Sequence, residues 1–246
     1  MGLTNSSISI NTTAFSPAYP QIPLSTQLTP DVFSVKGGNR TEFFPVEEFS
    51  EDCLTLNIWT PVSTDGTTLP VLAWFFGGAF LQGAAHSLYF NPTSWIQHAQ
   101  GHIVISANYR VNIFGFPNAP GLADRNLGLL DQRATHKWVH TNIGAFGGDP
   151  GRIVAWGGSS GAICVDFLHF LLPTDPIVYS SIRESGTVLV PAKISLSNNT
   201  AHELPAEDYY ICIKSSVDSN KLAVQTFNPR DRGVREFKRL AIPGLS

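Results

Sequence analysis

The residues best suited to chemistry in this sequence are Gly157-Gly158-Ser159-Ser160-Gly161. A serine flanked by glycines two places before and two after it follows the β-branched run Arg152 to Trp156 and precedes the apolar run from Ala162 to Leu172. A strand that turns sharply into a helix holds such a serine in a strained backbone conformation with its hydroxyl exposed, and Gly157 and Gly161 let the two segments approach closely. The helix then presents its free amides and positive dipole end beside the hydroxyl, where the anion of a tetrahedral intermediate develops. The chemistry implied is nucleophilic attack by Ser159. A second segment, Phe76-Gly77-Gly78-Ala79-Phe80, follows the apolar run ending at Phe76, and its small residues leave backbone N–H groups free to bind a substrate oxyanion. Ala79 narrows that loop without removing an N–H.

Positioning these segments requires strands and helices in alternation. Cys53 to Trp59, Pro70 to Phe76, His102 to Asn108 and Arg152 to Trp156 read as strands bounded by turn residues. Leu127, Leu130, Ala134, Trp138 and Thr141 fall at helical spacing, which predicts a helix over Asn126 to Asn142, and a second helix is expected from Gly161 to Leu172. The alternation predicts an α/β fold with a mostly parallel sheet covered by helices. Three regions are expected: an irregular segment 1–44, an α/β region 45–190, and a tail 191–246 without clear periodicity.

The 246 residues are 43% hydrophobic and 11% aromatic, enough for a large core. A net charge of −3 and a charged fraction of 14% provide no basic stripe, so nucleic-acid binding has no support. No apolar run approaches the roughly 20 residues that cross a bilayer, and the polar start from Met1 to Thr26 has no leader-like apolar stretch. Met1-Gly2 with Ser6 matches a myristoylation pattern only formally. Cys53, Cys164 and Cys212 show no metal-ligand spacing, and neither a phosphate-binding loop nor a dinucleotide fingerprint occurs, so no metal or cofactor is expected. Asn5, Asn11, Asn39 and Asn198 are glycosylation acceptors that matter only in the secretory pathway.

Six motifs occur in order over residues 45–188. They are Glu51-Asp52-Cys53-Leu54-Thr55-Leu56-Asn57, Trp74 to Phe80, Asn108-Tyr109-Arg110, Asn126-Leu127-Gly128-Leu129-Leu130-Asp131-Gln132, Asn142-Ile143 with Phe146-Gly147-Gly148-Asp149-Pro150, and the Ser159 segment. Together they resemble the type-B carboxylesterase, cholinesterase and fungal lipase family of α/β-hydrolases. The resemblance implies hydrolysis of a small-molecule carboxylic ester without metal or cofactor, Ser159 as nucleophile, and the N–H groups of Gly78, Ala79 and Ser160 as oxyanion hole. It also implies a secreted location.

The sequence departs from the family pattern at Gly158 and Ser160, where Glu and Ala are usual, and at Tyr19, where the family's Pro-Ala-Cys-Pro-Gln has the cysteine that bridges to the one matching Cys53. The family's chain order also places an acid and a histidine far downstream of the serine. Here His169 lies in the helix behind the turn and reads as structural, while His202 with Glu203, Glu207 or Asp208 matches no family motif. The chain is therefore expected to represent the N-terminal half of such an enzyme, with negligible turnover alone. The competing expectation is a non-catalytic, cholinesterase-like binding module, against which retention of Ser159, the elbow glycines and the Gly77-Gly78-Ala79 loop argues.

Overall fold

The computed structural model describes residues 14–21, 49–62, 66–117, 125–172, 174, 176–189 and 234–241. Its centre is one sheet of strands β1 (Thr55–Pro61), β2 (Leu69–Phe75), β3 (Ile103–Ala107), β4 (Gly148–Gly158), β5 (Ser180–Glu184) and β6 (Val234–Ala241). The spatial order is β5-β4-β2-β3-β1-β6. The pairs β2–β3, β2–β4 and β4–β5 are parallel, whereas β1 runs antiparallel to both β3 and β6. The sheet is mixed but has a parallel centre, and the fold class is α/β. Four α-helices accompany it among the described residues: α1 (Thr93–Ala99), α2 (Asn112–Gly115), α3 (Leu127–Asn142) and α4 (Ser160–Leu171).

Alternation of side chains decides the layers. Leu56, Ile58, Val71, Ala73, Phe75, Ile103, Ile105, Ile153 and Ala155 point to one face and pack with Trp138 and Val139 of α3 and Cys164 and Val165 of α4 into the main core. Each such aliphatic side chain contributes about 1.5–3 kcal/mol when fully buried. On the opposite face Trp59 and Val104 pack with Ile96 of α1, with Leu72 and Phe15 against them. Further along that face Trp74 meets Trp156 edge-on at 4.5 Å and Phe90 at 5.0 Å.

The register of the parallel centre matters most for the site. Phe75 pairs with Gly157, and Gly158 pairs with Glu184, so β2, β4 and β5 end at the same edge of the sheet. Ligand sites of parallel sheets form at these carboxyl ends. Two strands lie outside the sequence-based expectations. The exposed, polar β5 carries no apolar alternation, and β6 falls in the tail, where no strand was expected.

Candidate active site

Ser159 stands between β4 and α4 with φ 52° and ψ −122°, a conformation rarely adopted by residues with a Cβ, and it is exposed. Its own N–H donates to the Glu184 carbonyl of β5 at 2.7 Å, and its carbonyl accepts the Ile163 N–H at 3.1 Å, the first closed turn of α4. Both contacts pin the backbone on either side of the strained torsions.

The flanking glycines are dictated by space. A Cβ on Gly157 would lie 2.5 Å from the backbone carbon of Gly161, and one on Gly161 would lie 2.3 Å from the Phe75 carbonyl oxygen and 2.6 Å from that of Phe76. These neighbours are main-chain atoms and cannot rotate aside, so the start of α4 meets the ends of β4 and β2 only because neither residue has a side chain. At Gly158, where the family usually carries Glu, a Cβ would approach the Trp74 indole to 2.8 Å.

The loop after β2 touches the serine directly. A Cβ on Gly77 would lie 2.9 Å from Ser159 Cβ and 2.7 Å from the Gly158 carbonyl oxygen. From there the backbone enters the left-handed region at Gly78, Ala79 and Phe80, with φ of 131°, 58° and 64°. The Gly78 carbonyl turns back to accept the N–H groups of Leu81 at 3.0 Å and Gln82 at 3.3 Å. Among the described residues neither the Gly78 nor the Ala79 N–H has an acceptor. Ser160 is the first residue of α4, and an N–H in a first helical turn has no intrahelical partner.

Several groups hold this loop in place. Tyr109 stacks on Phe76 with ring centroids 4.3 Å apart and donates its hydroxyl proton to the Phe76 carbonyl at 2.6 Å. Burial pushes the Tyr109 phenol well above its ordinary pKa, so it remains a donor. At the other end, Gln21 accepts the Gly83 N–H at 2.6 Å and donates to the Gly83 carbonyl at 3.0 Å. Asn108 donates to the carbonyls of Cys53 and Pro17 and accepts the Ala85 N–H at 2.8 Å. Behind it, Asp131 accepts the N–H of Arg110 at 2.9 Å and both arms of its guanidinium, at 2.8 and 2.6 Å.

The segment after β5 forms a third wall. Ser185 has φ 59°, and a Cβ on Gly186 would lie 2.3 Å from the Ser159 carbonyl oxygen. Asp166 of α4 anchors this segment by accepting Thr187 Oγ1 at 2.6 Å, the Val188 N–H at 2.9 Å and the Arg183 guanidinium. Burial acts to raise the Asp166 pKa, but the bonds from Thr187, Val188 and Arg183 outweigh it and hold the carboxyl below its usual range.

Sequence reasoning missed Glu184, Gly186 and Asp166, and named Gly77 only as part of the loop. The Gly77-Gly78 pair signalled a loop without revealing that Gly77 abuts the serine. A carbonyl such as that of Glu184 leaves no trace in residue type.

The structure brings no histidine to Ser159 among the described residues. His169 sits ten residues into α4, about 15 Å along the helix axis. His136 is fully buried, and burial, with Arg133 and His169 adding, pulls its pKa down to about 3, so it is neutral. His202, Glu203, Glu207, Asp208 and Cys212 lie outside the described residues, as do the four glycosylation acceptors. Cys53 and Cys164 are free and buried; burial raises both thiols, that of Cys164 to about 12. Among the described residues there is no cluster of three His, Cys, Asp or Glu side chains able to hold a metal ion, and no helix long and apolar enough to cross a membrane.

Compared with known proteins, residues 6–222 match the family described as "Carboxylesterase family". Over 141 residues the chain is 51% identical to a chlorogenic acid esterase of Aspergillus niger, a match covering 56% of this chain and 28% of that protein. It is 42% identical over 151 residues to secreted lipase 5 of Gibberella zeae, covering 57% of this chain and 28% of the relative. To the acetylcholinesterase of Electrophorus electricus it is 40% identical over 157 residues, covering 62% and 24%. Among solved structures, a thermophilic PNB esterase superposes with a TM-score of 0.57 at 33% identity, over 71% of this chain and 34% of that one. The chain thus spans less than a third of the length of these curated relatives.

Proposed function

The chain belongs to the carboxylesterase family, and from that membership we propose that Ser159 is the nucleophile of a carboxylic-ester hydrolase. Attack of Ser159 Oγ on the ester carbonyl carbon would place negative charge on the carbonyl oxygen. The N–H groups of Gly78, Ala79 and Ser160 are the donors assigned to that oxyanion. Collapse of the intermediate expels the alcohol and leaves an acyl group on Ser159, which water then removes. No metal or cofactor enters this scheme.

The observation that carries the reading is the conformation of Ser159. An exposed serine is held at φ 52° and ψ −122°, tied through its N–H to Glu184 and abutting Gly77. Strain of this kind at an exposed polar residue marks a functional position. Substrates are small carboxylic esters. A relative of 51% identity is a chlorogenic acid esterase, which makes esters with an aromatic acyl group the first substrates to try.

Full activity needs a general base beside Ser159 Oγ, because an unactivated serine is a weak nucleophile at neutral pH. His169 cannot fill that role from the far end of α4, and among the described residues no other histidine stands beside Ser159, so negligible ester turnover is expected from them. The test is intact-mass spectrometry of the purified chain after exposure to a reactive fluorophosphonate, with Ser159→Ala as control. Labelling of the wild type alone supports the assignment of the nucleophile. A Ser159→Ala variant that labels equally overturns it, and a folded wild-type chain that remains unlabelled means an inactive half-domain, for which the ester-hydrolase reading describes ancestry only.

A further inference from the structure

Behind the Ser159 turn, α3 and α4 face each other across a buried seam. Gln132 and His136 lie one turn apart on α3, and Ser160 and Cys164 lie one turn apart on α4, so each pair shares a helix face. The two faces meet: the Gln132 carboxamide is beside the Cys164 thiol, and Cys164 and Ser160 are both beside Tyr109. The His136 ring is edge-on to Phe75 at 5.1 Å. Solvent exposure is 0% for Gln132, 2% for His136 and 1% for Ser160.

Despite this burial, neither the nitrogen nor the oxygen of the Gln132 amide has a hydrogen-bond partner, and neither do His136 Nε2 and Ser160 Oγ. The Ser160 hydroxyl lies beside the Tyr109 hydroxyl and the Gln132 amide beside the Cys164 thiol, but neither approach has the geometry of a hydrogen bond. Buried polar atoms are almost always satisfied, and leaving one unpaired is expensive. Four unpaired atoms on two facing helices are therefore informative. They include donors and acceptors, since an amide offers both and a hydroxyl offers both. A water molecule, which gives two hydrogen bonds and accepts two, complements such a set, and internal waters make about three bonds to groups of this kind.

We propose that the α3–α4 seam is a buried water site whose ligands are drawn from the Gln132 amide, His136 Nε2 and Ser160 Oγ. The site backs both segments that face Ser159. Ser160 opens α4, and Tyr109 clamps Phe76 at the root of the Gly77-Gly78-Ala79 loop. Water also accounts for a glutamine and a histidine on the inner face of α3, where apolar residues would otherwise pack. It requires nothing of the serine's own chemistry.

The test is a crystal structure of the full chain, and of its Ser159→Ala variant, at a resolution that shows ordered water. A water bonded to at least two of the three side chains is expected in both crystals. A dry seam, or side chains turned to pair directly with one another, overturns the proposal. Its presence in Ser159→Ala, which cannot be labelled by fluorophosphonate, separates this inference from the ester-hydrolase reading. In solution, oxygen-17 relaxation dispersion of the wild type is expected to show a long-lived internal water that is lost in Gln132→Leu. Ser160→Ala serves if Gln132→Leu does not fold. An unchanged signal in the folded variant overturns the site.

Discussion

Replacing Ser159 by glycine should make the protein more stable while abolishing its reactivity. The residue sits at φ 52° and ψ −122°, a region that costs a residue with a Cβ about 1–3 kcal/mol. Glycine relieves that strain but adds freedom to the unfolded chain, which takes back about 0.4–1 kcal/mol. Ser159 is exposed, so removing its side chain forfeits little burial. Ser159→Ala is the proper reference, because it removes the hydroxyl and keeps the Cβ. The net expectation is that Ser159→Gly exceeds Ser159→Ala by about 1–2 kcal/mol, or roughly 3–6 °C in melting temperature for a chain of this size. Urea unfolding of the three proteins, with equal slopes as a check that the unfolded states match, measures the difference. A glycine variant no more stable than the alanine variant would show that the torsions carry no strain, and the argument that this turn stores energy at a functional serine would fail.

Acid should destabilise the protein through His136 before it reaches the carboxylates. The folded-state pKa of about 3 lies below the ordinary 6.5, so the unfolded chain binds a proton that the folded one refuses. This contribution is intact above pH 6.5 and is lost as pH falls toward 3, amounting to about 2 kcal/mol by pH 5. Urea midpoints between pH 7 and 5 should show the decline, and His136→Gln should flatten it. Gly161→Ala should cost about 3 kcal/mol or prevent folding, since its Cβ meets two carbonyl oxygens within 2.6 Å; expression and circular dichroism report this directly. Asp131→Asn should cost about 3 kcal/mol by leaving Arg110 with a neutral partner in a largely buried pair, measured by urea unfolding. A cost below about 0.5 kcal/mol would show that the pair contributes as little as a surface ion pair.

Much of the architecture was legible because it follows residue type and period. The β-branched run before Gly157 and the apolar run after Gly161 announced β4 and α4, and the nearly continuous apolar run Pro70 to Phe76 announced β2. Other elements were illegible for equally physical reasons. At the edge of the sheet among the described residues, β5 carries Ser180, Ser181, Arg183 and Glu184 and is largely exposed, so burial imposes no pattern on it. For β6, the stretch Val234–Ala241 reads like any charged, apolar mixture, and its place beside β1 depends on pairing across the chain. Asp166 carries no signal of its own within the apolar run Ala162 to Leu172, yet it accepts from Arg183 of β5 and from Thr187 and Val188 just after it.

The candidate site divides along the same line. Sequence alone determined which residue types stand at the turn and the loop, because a serine between glycines and a run of small residues are local requirements of tight backbone. Only the tertiary structure decided that the two meet. The Phe75–Gly157 and Gly158–Glu184 register ends three strands at one edge, sets Gly77 against Ser159, and gives the Ser159 N–H its acceptor. It also decided which way the histidines face, turning His136 into the α3–α4 seam and leaving His169 far along α4 from the serine. Contacts between backbones distant in the chain are set by register and packing, which no single residue encodes.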